Sequence, residues 1–161
     1  MKLKKIVFTS DHRGVELKRK LTDWFMSREI SIDDYQRYVP IDDLGPFKST
    51  PSVDYPDMVK PFATNMQLLM LMNESEKDDY RGVLICGSGF GVNMAANRYK
   101  HIRAATIRTV SEAKIARQHG NINTICLGAD YTDYHASRDI VETFLETEFE
   151  GGRHERRINK L

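Results

Sequence analysis

The stretch Gly82-Val83-Leu84-Ile85-Cys86-Gly87-Ser88-Gly89-Phe90-Gly91 decides the fold. Val83, Leu84 and Ile85 run apolar without alternation, as a strand covered on both faces requires. The glycine run then breaks the strand, and a helical pattern follows over 92–99. The same change of period recurs on either side. Residues 6–9 form a β-branched and aromatic run, and after Gly14 an apolar face carries Val15, Leu17, Leu21, Trp24, Phe25 and Met26. Further on, 102–107 precedes a helix over 111–118, and 123–127 precedes one over 134–149. Repeated strand-helix units predict an α/β chain: a three-layer, Rossmann-like sandwich around a central parallel sheet of about five strands. The run over 82–86 belongs at its centre.

Between 29 and 55 the pattern is less regular. Segments 30–32 and 38–41 both alternate, Pro40 disfavours a central ladder position, and the spacing favours a second strand over 39–44. Pro46, Pro51 and Pro56, with Ser49, Thr50 and Ser52, mark a surface loop ending at Asp54-Tyr55-Pro56-Asp57. There the next helix begins. Its four methionines within 58–72 read as adaptable core packing. Segment 73–79 reads as a solvated connector. No repeat or linker divides the chain, so 1–161 is expected to be a single domain ending in a helical tail over about 148–161.

The 161 residues carry 24 Lys+Arg against 23 Asp+Glu, a net charge of +1. Such a balance creates no broad field, so neither nucleic acid nor an anionic membrane surface is an expected partner. No apolar stretch reaches the 18 residues of a membrane span, and the opening Met1-Lys2-Leu3-Lys4-Lys5 lacks a signal-peptide apolar segment. The chain is expected in the cytoplasm, with Cys86 and Cys126 as thiols.

In an open parallel sheet, ligands bind beyond the carboxyl ends of the strands. Ser10-Asp11-His12 follows the first strand, Cys86 and the glycine loop follow the central one, and Arg117-Gln118-His119 closes a later helix. A carboxylate, an imidazole, a thiol and a glycine loop are expected to converge on one crevice. Loop 87–91 opens a helix, so its free N–H groups and the positive helix end can hold a phosphate or an enediolate oxygen. The plainer alternative is a tight turn that lets the helix pack closely. The loop is not a dinucleotide fingerprint, because Val92 stands where the third glycine would be. Cys86, beside the helix start, is a candidate base or nucleophile, whereas Cys126, between Ile125 and Leu127, reads as structural. Taken singly, His119 could be a capping or surface histidine and Asp11 a turn former. Arg153 and Arg157 share one face of a helical turn and suit phosphate, although a terminal basic run also describes a solvated tail.

Together these residues resemble the type B ribose-5-phosphate isomerases, a family that also holds the galactose-6-phosphate isomerase subunits. The resemblance rests on Ser10-Asp11-His12, Asp54-Tyr55-Pro56, Ile85 through the glycine loop with Ala95-Ala96-Asn97, Ile102-Arg103-Ala104, Arg117-Gln118-His119, and Glu150-Gly151-Gly152-Arg153-His154 with Arg157. It implies a cofactor-free, metal-free aldose–ketose isomerase of the pentose phosphate pathway, acting on ribose 5-phosphate and ribulose 5-phosphate through an enediolate. On this resemblance Cys86 is the base that moves a proton between C2 and C1. Ser88 and the loop residues Gly87, Gly89, Phe90 and Gly91 hold the oxyanion. His119 assists ring opening, Asp11 relays protons, and His12, Arg153 and Arg157 hold the phosphate. Tyr55 and Asn97 complete the substrate contacts. A homodimer, or a pair of dimers, with the active site shared between subunits is also implied.

Two positions depart from the family's pattern. Gly120 stands where asparagine is usual, and Asp130 where a cation is usual. A carboxylate at 130 is expected to repel the phosphate. Segment 30–40 looks longer than the family's loop and is expected to be a surface elaboration. The departures leave room for an isomerase of another aldose phosphate, such as a six-carbon sugar. A non-catalytic sugar-phosphate-binding subunit is a further alternative, against which the retained Cys86, His119 and Asp11 argue.

Overall fold

Alternating side chains on the sheet strands divide between two cores, and that division organises the computed structural model of the chain, which describes residues 3, 5–27, 31–32, 35–36, 39–72 and 80–161. The order of elements is β1 (Lys5–Ser10), α1 (Val15–Met26), β2 (Ser31–Ile32), β3 (Tyr35–Gln36), β4 (Ile41–Asp43), α2 (Tyr55–Met72), β5 (Tyr80–Cys86), α3 (Phe90–Ala96), β6 (Ala104–Thr106), α4 (Val110–Gly120), β7 (Thr124–Gly128), α5 (Tyr134–Glu146) and α6 (Arg153–Ile158). Five strands form one parallel sheet in the order β4-β1-β5-β7-β6. β5 is central and buried along its whole length, as its apolar run predicts.

Ile6, Phe8, Val83, Ile85, Ile125 and Leu127 face one core, which is closed by Leu17, Leu21 and Phe25 of α1 and by Ile140, Val141 and Phe144 of α5. Val7, Leu84, Cys86 and Cys126 face the other, closed by Phe62, Met66 and Met70 of α2 and Val92 of α3. Each fully buried Phe or Leu in these layers contributes roughly 1.5–3 kcal/mol of hydrophobic transfer energy. From β1 the chain moves outward to β4, and from β5 it moves the opposite way to β6 and β7. The topological switch therefore lies between β1 and β5, and beyond their carboxyl ends is where an open parallel sheet binds its ligand.

Some elements differ from the sequence-based expectation. The second sheet strand is shorter than 39–44, because only Ile41 to Asp43 pair with β1. Within segment 30–40, β2 and β3 pair antiparallel as a ribbon separate from the main sheet. Of the four methionines, Met66 and Met70 are core, whereas Met72 is exposed. α5 stops at Glu146 rather than 149, since Thr147 turns to an extended backbone and its hydroxyl donates to the Thr143 carbonyl at 2.7 Å. The tail carries helix only over Arg153–Ile158. Connector 73–79 lies outside the described residues, as does part of the opening 1–5 segment.

A buried cation ties α1 to the sheet edge. The Lys18 side chain is 2% exposed, and its ammonium meets the Asp43 carboxylate at the end of β4. The same Asp43 oxygen accepts the Gly45 N–H at 2.9 Å. Removing one partner of a buried pair strands the other charge, which costs more than the pair contributes. Asp43→Ala is therefore expected to lower unfolding free energy by about 3 kcal/mol. Lys18→Met, which leaves a carboxylate that water still reaches, should cost less. Urea denaturation of both variants checks the order; equal losses would mean that the ammonium finds another partner.

Candidate active site

At the switch point the turn after β1 is built by Asp11. Its N–H donates to the Ile85 carbonyl at 2.9 Å, which fastens the turn to β5. Asp11 Oδ1 accepts the N–H groups of Arg13 (2.9 Å) and Gly14 (3.1 Å), so this oxygen is the turn former that launches α1. Among the described residues its other oxygen is uncommitted. His12 Nδ1 lies 3.0 Å from the Val53 carbonyl. A carbonyl can only accept, so Nδ1 carries the hydrogen.

Across the switch point, Cys86 is 3% exposed, and its sulfur accepts the Gly89 N–H at 3.1 Å. Gly89 has φ +79°, a left-handed conformation that folds the loop back so that this amide reaches the sulfur. Thr106 Oγ1 donates to the Gly89 carbonyl at 3.1 Å, and Asp130 N–H to the Gly87 carbonyl at 3.0 Å, so the loop is pinned from two sides. Ser88 Oγ accepts the Phe90 N–H at 3.3 Å at the start of α3. The Tyr55 ring lies against Gly91, within 3.0 Å of where a Cβ would stand. Gly87 runs beneath an ion pair: Arg13 Nη2 and Asp130 Oδ2 are 2.5 Å apart, and a Cβ at 87 would meet both partners within 2.9 Å. Cys126, one strand away and wholly buried, has its thiol pushed well up by burial, with Cys86 adding to the effect. It fits the structural role.

Within one chain the structure brings Asp11, the Cys86 thiol and the glycine loop together, but not the His119 imidazole. α4 returns from the carboxyl end of β6 to the amino end of β7, and its rise from Val110 carries His119 about 14 Å back along the helix. His119 therefore closes a helix at the opposite edge from Cys86. The Glu150 N–H donates to the Gln118 carbonyl at 3.1 Å, which brings the tail, with Arg153 and Arg157 on α6, to that same amino edge. Asn97 also lies away from the loop, at the far end of α3. Its amide donates to Asn93 Oδ1 (2.7 Å) and to the Ala104 carbonyl (3.0 Å), and its Oδ1 accepts the Ala104 N–H (3.0 Å), stitching α3 to the start of β6. Arg117 is buried and structural, donating to Asn121 Oδ1 at 2.8 Å and to the Thr147 carbonyl at 3.2 Å. After Gly120, an asparagine follows one place later: Asn121 takes the left-handed position that caps α4.

At the amino edge the His119 and His154 rings stack at 4.1 Å, nearly parallel, and Glu150 Oε2 is 3.8 Å from each Nε2. Their ligand atoms lie within 4.8 Å of one another, the one such trio among the described residues. Stacked rings point their lone pairs along parallel planes, so a single ion cannot lie in both planes unless a ring turns. Arg153 Nε donates to His154 Nε2 at 3.3 Å, which identifies that nitrogen as the acceptor. Burial, with the positive neighbourhood of His119 and Arg153, holds His154 below the ordinary histidine range.

Arg13 and Arg108 are functional candidates that the sequence alone did not single out. Arg13 occupies the turn between Asp11 and Gly14, a place where the sheet geometry directs attention, so its charge was a usable signal. Arg108 lies over the Phe90 ring at 4.8 Å and near the Tyr131 ring at 5.6 Å, a placement that depends on three separate segments. Asp130, expected to repel an anion, has its charge countered by Arg13.

A family model described as "Ribose/Galactose Isomerase" matches residues 6–161. The "Probable ribose-5-phosphate isomerase B" of Mycoplasma genitalium is 36% identical over 156 residues, covering 97% of this chain and 92% of that protein. A solved ribose 5-phosphate isomerase from Thermotoga maritima matches with a TM-score of 0.81 at 38% identity, over 97% of this chain and 95% of the other. The structure of ribose-5-phosphate isomerase B from Mycoplasma genitalium with bound ribulose-5-phosphate gives a TM-score of 0.79 at 36% identity, over 99% and 95%.

An NMR titration of the ring protons should show His154 losing its proton below the ordinary histidine midpoint. Its neutral form is favoured by burial and by adjacent positive charge, so Arg153→Ala should move the midpoint upward. A midpoint above the ordinary value would mean that the Glu150 carboxylate dominates the site.

Proposed function

The chain belongs to the ribose/galactose isomerase family, and from that premise we propose that it interconverts ribose 5-phosphate and ribulose 5-phosphate, with Cys86 as the base. The observation that carries this reading is the pairing of the Cys86 sulfur with a pinned glycine loop directly across the switch point from Asp11. With the open-chain aldose seated there, the sulfur takes the proton from C2. The C2–H electrons form the C1–C2 double bond, and the carbonyl oxygen becomes the enediolate oxygen. The Ser88 hydroxyl, with the loop N–H groups not already bonded to the Cys86 sulfur or to Ser88 Oγ, meets that charge. Return of the proton to C1 generates the ketose, and the uncommitted Asp11 oxygen moves the hydroxyl proton between O2 and O1.

His119, Arg153 and Arg157 act on the same substrate only if they come from another copy, because each chain carries them at the edge opposite its own Cys86. This separation supports a homodimer in which each site draws on both chains. A phosphorylated sugar is the small-molecule partner, and the cytoplasm is the expected setting. The ion pair at Asp130 removes the main reason for preferring a different sugar.

Purified protein is expected to form ketose from ribose 5-phosphate. Cys86→Ala should lower kcat by at least about 100-fold while KM changes little, since a general base acts in the chemical step. Mixing Cys86→Ala with His119→Ala subunits should regain activity in the mixed dimers. No recovery in confirmed mixed dimers would remove the shared-site reading, and a Cys86→Ala enzyme with near-normal kcat would remove the base.

A further inference from the structure

We propose that Arg13, oriented by Asp130, binds the phosphate group of the sugar at the edge of the sheet that carries Cys86. This assignment rests on the isomerase reading above. Three observations point to it. First, the guanidinium lies against the active loop: its Cζ and Nε stand 2.9 Å from the place of a Gly87 Cβ, one residue from Cys86. Second, the Arg13 backbone is fixed by the Asp11 turn and directly follows His12, so acid, imidazole and guanidinium project from one short segment. Third, Arg13 uses Nη2 on Asp130 Oδ2, while its side chain remains 57% exposed. A guanidinium has five N–H donors in a planar fork, so the rest of the fork can receive a second anion.

Depth separates the roles of the two ends of the substrate. Cys86, 3% exposed, meets the reacting carbons at the bottom of the crevice. The phosphate, at the other end of a five-carbon chain, lies toward solvent, where Arg13 is. Arg153 and Arg157 sit at the amino edge of the same chain, and Arg108 lies against the rings of Phe90 and Tyr131. Asp130 is then a positioning residue. Its carboxylate holds one side of the guanidinium, and Arg13 bridges it to the incoming phosphate, so the acid aids binding instead of opposing it.

Steady-state kinetics on Arg13→Ala, Arg13→Lys, Asp130→Asn and the Arg13→Ala/Asp130→Asn double variant test this, alongside calorimetric binding of inorganic phosphate to each. Arg13→Ala is expected to raise KM for ribose 5-phosphate about tenfold, with kcat within about threefold of wild type, and to weaken phosphate binding in parallel. Arg13→Lys should recover only part, because a point charge lacks the fork. Asp130→Asn should raise KM by a smaller factor and add nothing in the double variant, the mark of a residue acting through its partner. Unchanged KM and phosphate binding in Arg13→Ala overturn the proposal. So does a fall in kcat at constant KM, which would put Arg13 on the enediolate oxygen. Additive effects in the double variant overturn the role given to Asp130. A wild-type protein that isomerises no ribose 5-phosphate would sink the isomerase reading alone, since the phosphate calorimetry reports on Arg13 without turnover.

Discussion

Parallel strand direction is the constraint that dictates the arrangement of this molecule. With β1, β5, β7, β6 and β4 all running the same way, each intervening helix must run back, and the chain is sorted residue by residue into two edges. A residue just past the end of a strand lands with Cys86; one that closes a helix lands with His119. No side-chain interaction could bring Cys86 and His119 together within one chain without breaking the sheet ladder, whose pairing continues from Lys5 with Tyr80 to Ser10 with Ile85. A reaction that uses both residues is therefore an assembly question as much as a folding question.

At the edge that carries Cys86, rigidity comes from backbone bonds. The loop carbonyls of Gly87 and Gly89 are each occupied, by the Asp130 N–H and the Thr106 hydroxyl, and the Gly89 amide is aimed at sulfur. Donors held in this way need not reorganise as negative charge develops, which is where an enzyme gains most over water. The rest of the edge is reached by side chains: His12 and Arg13 from the one turn after β1, and Tyr55 from the start of α2.

Much of the fold was legible in the sequence because the signals were local. The unbroken Val83-Leu84-Ile85 run announces a strand buried on both faces, and the period change after Gly91 announces the helix behind it. The placement of candidate residues at this edge was legible where they end or directly follow a strand, as Cys86 ends β5 and Asp11 and His12 follow β1. His119 ends a helix, and helix ends face the other edge, so its distance from Cys86 within one chain follows from the same local pattern that makes Arg117-Gln118-His119 helical. Asn97 has the side chain of a sugar ligand, yet its bonds to Ala104 depend on where β6 begins. The Arg13–Asp130 pair joins residues 117 positions apart, and nothing in either neighbourhood predicts that they meet.

The crowding above Gly87 also bears on how such a sequence can change over time. A methyl group at 87 would overlap the Arg13 guanidinium and the Asp130 carboxylate together, so three positions far apart in the chain share one small volume. Both groups are the ends of flexible, solvent-facing side chains, so a methyl at 87 is admitted by turning the pair aside. What a substitution at 87 costs therefore depends on which residues stand at 13 and 130 when it arises, although each single step involves an ordinary residue.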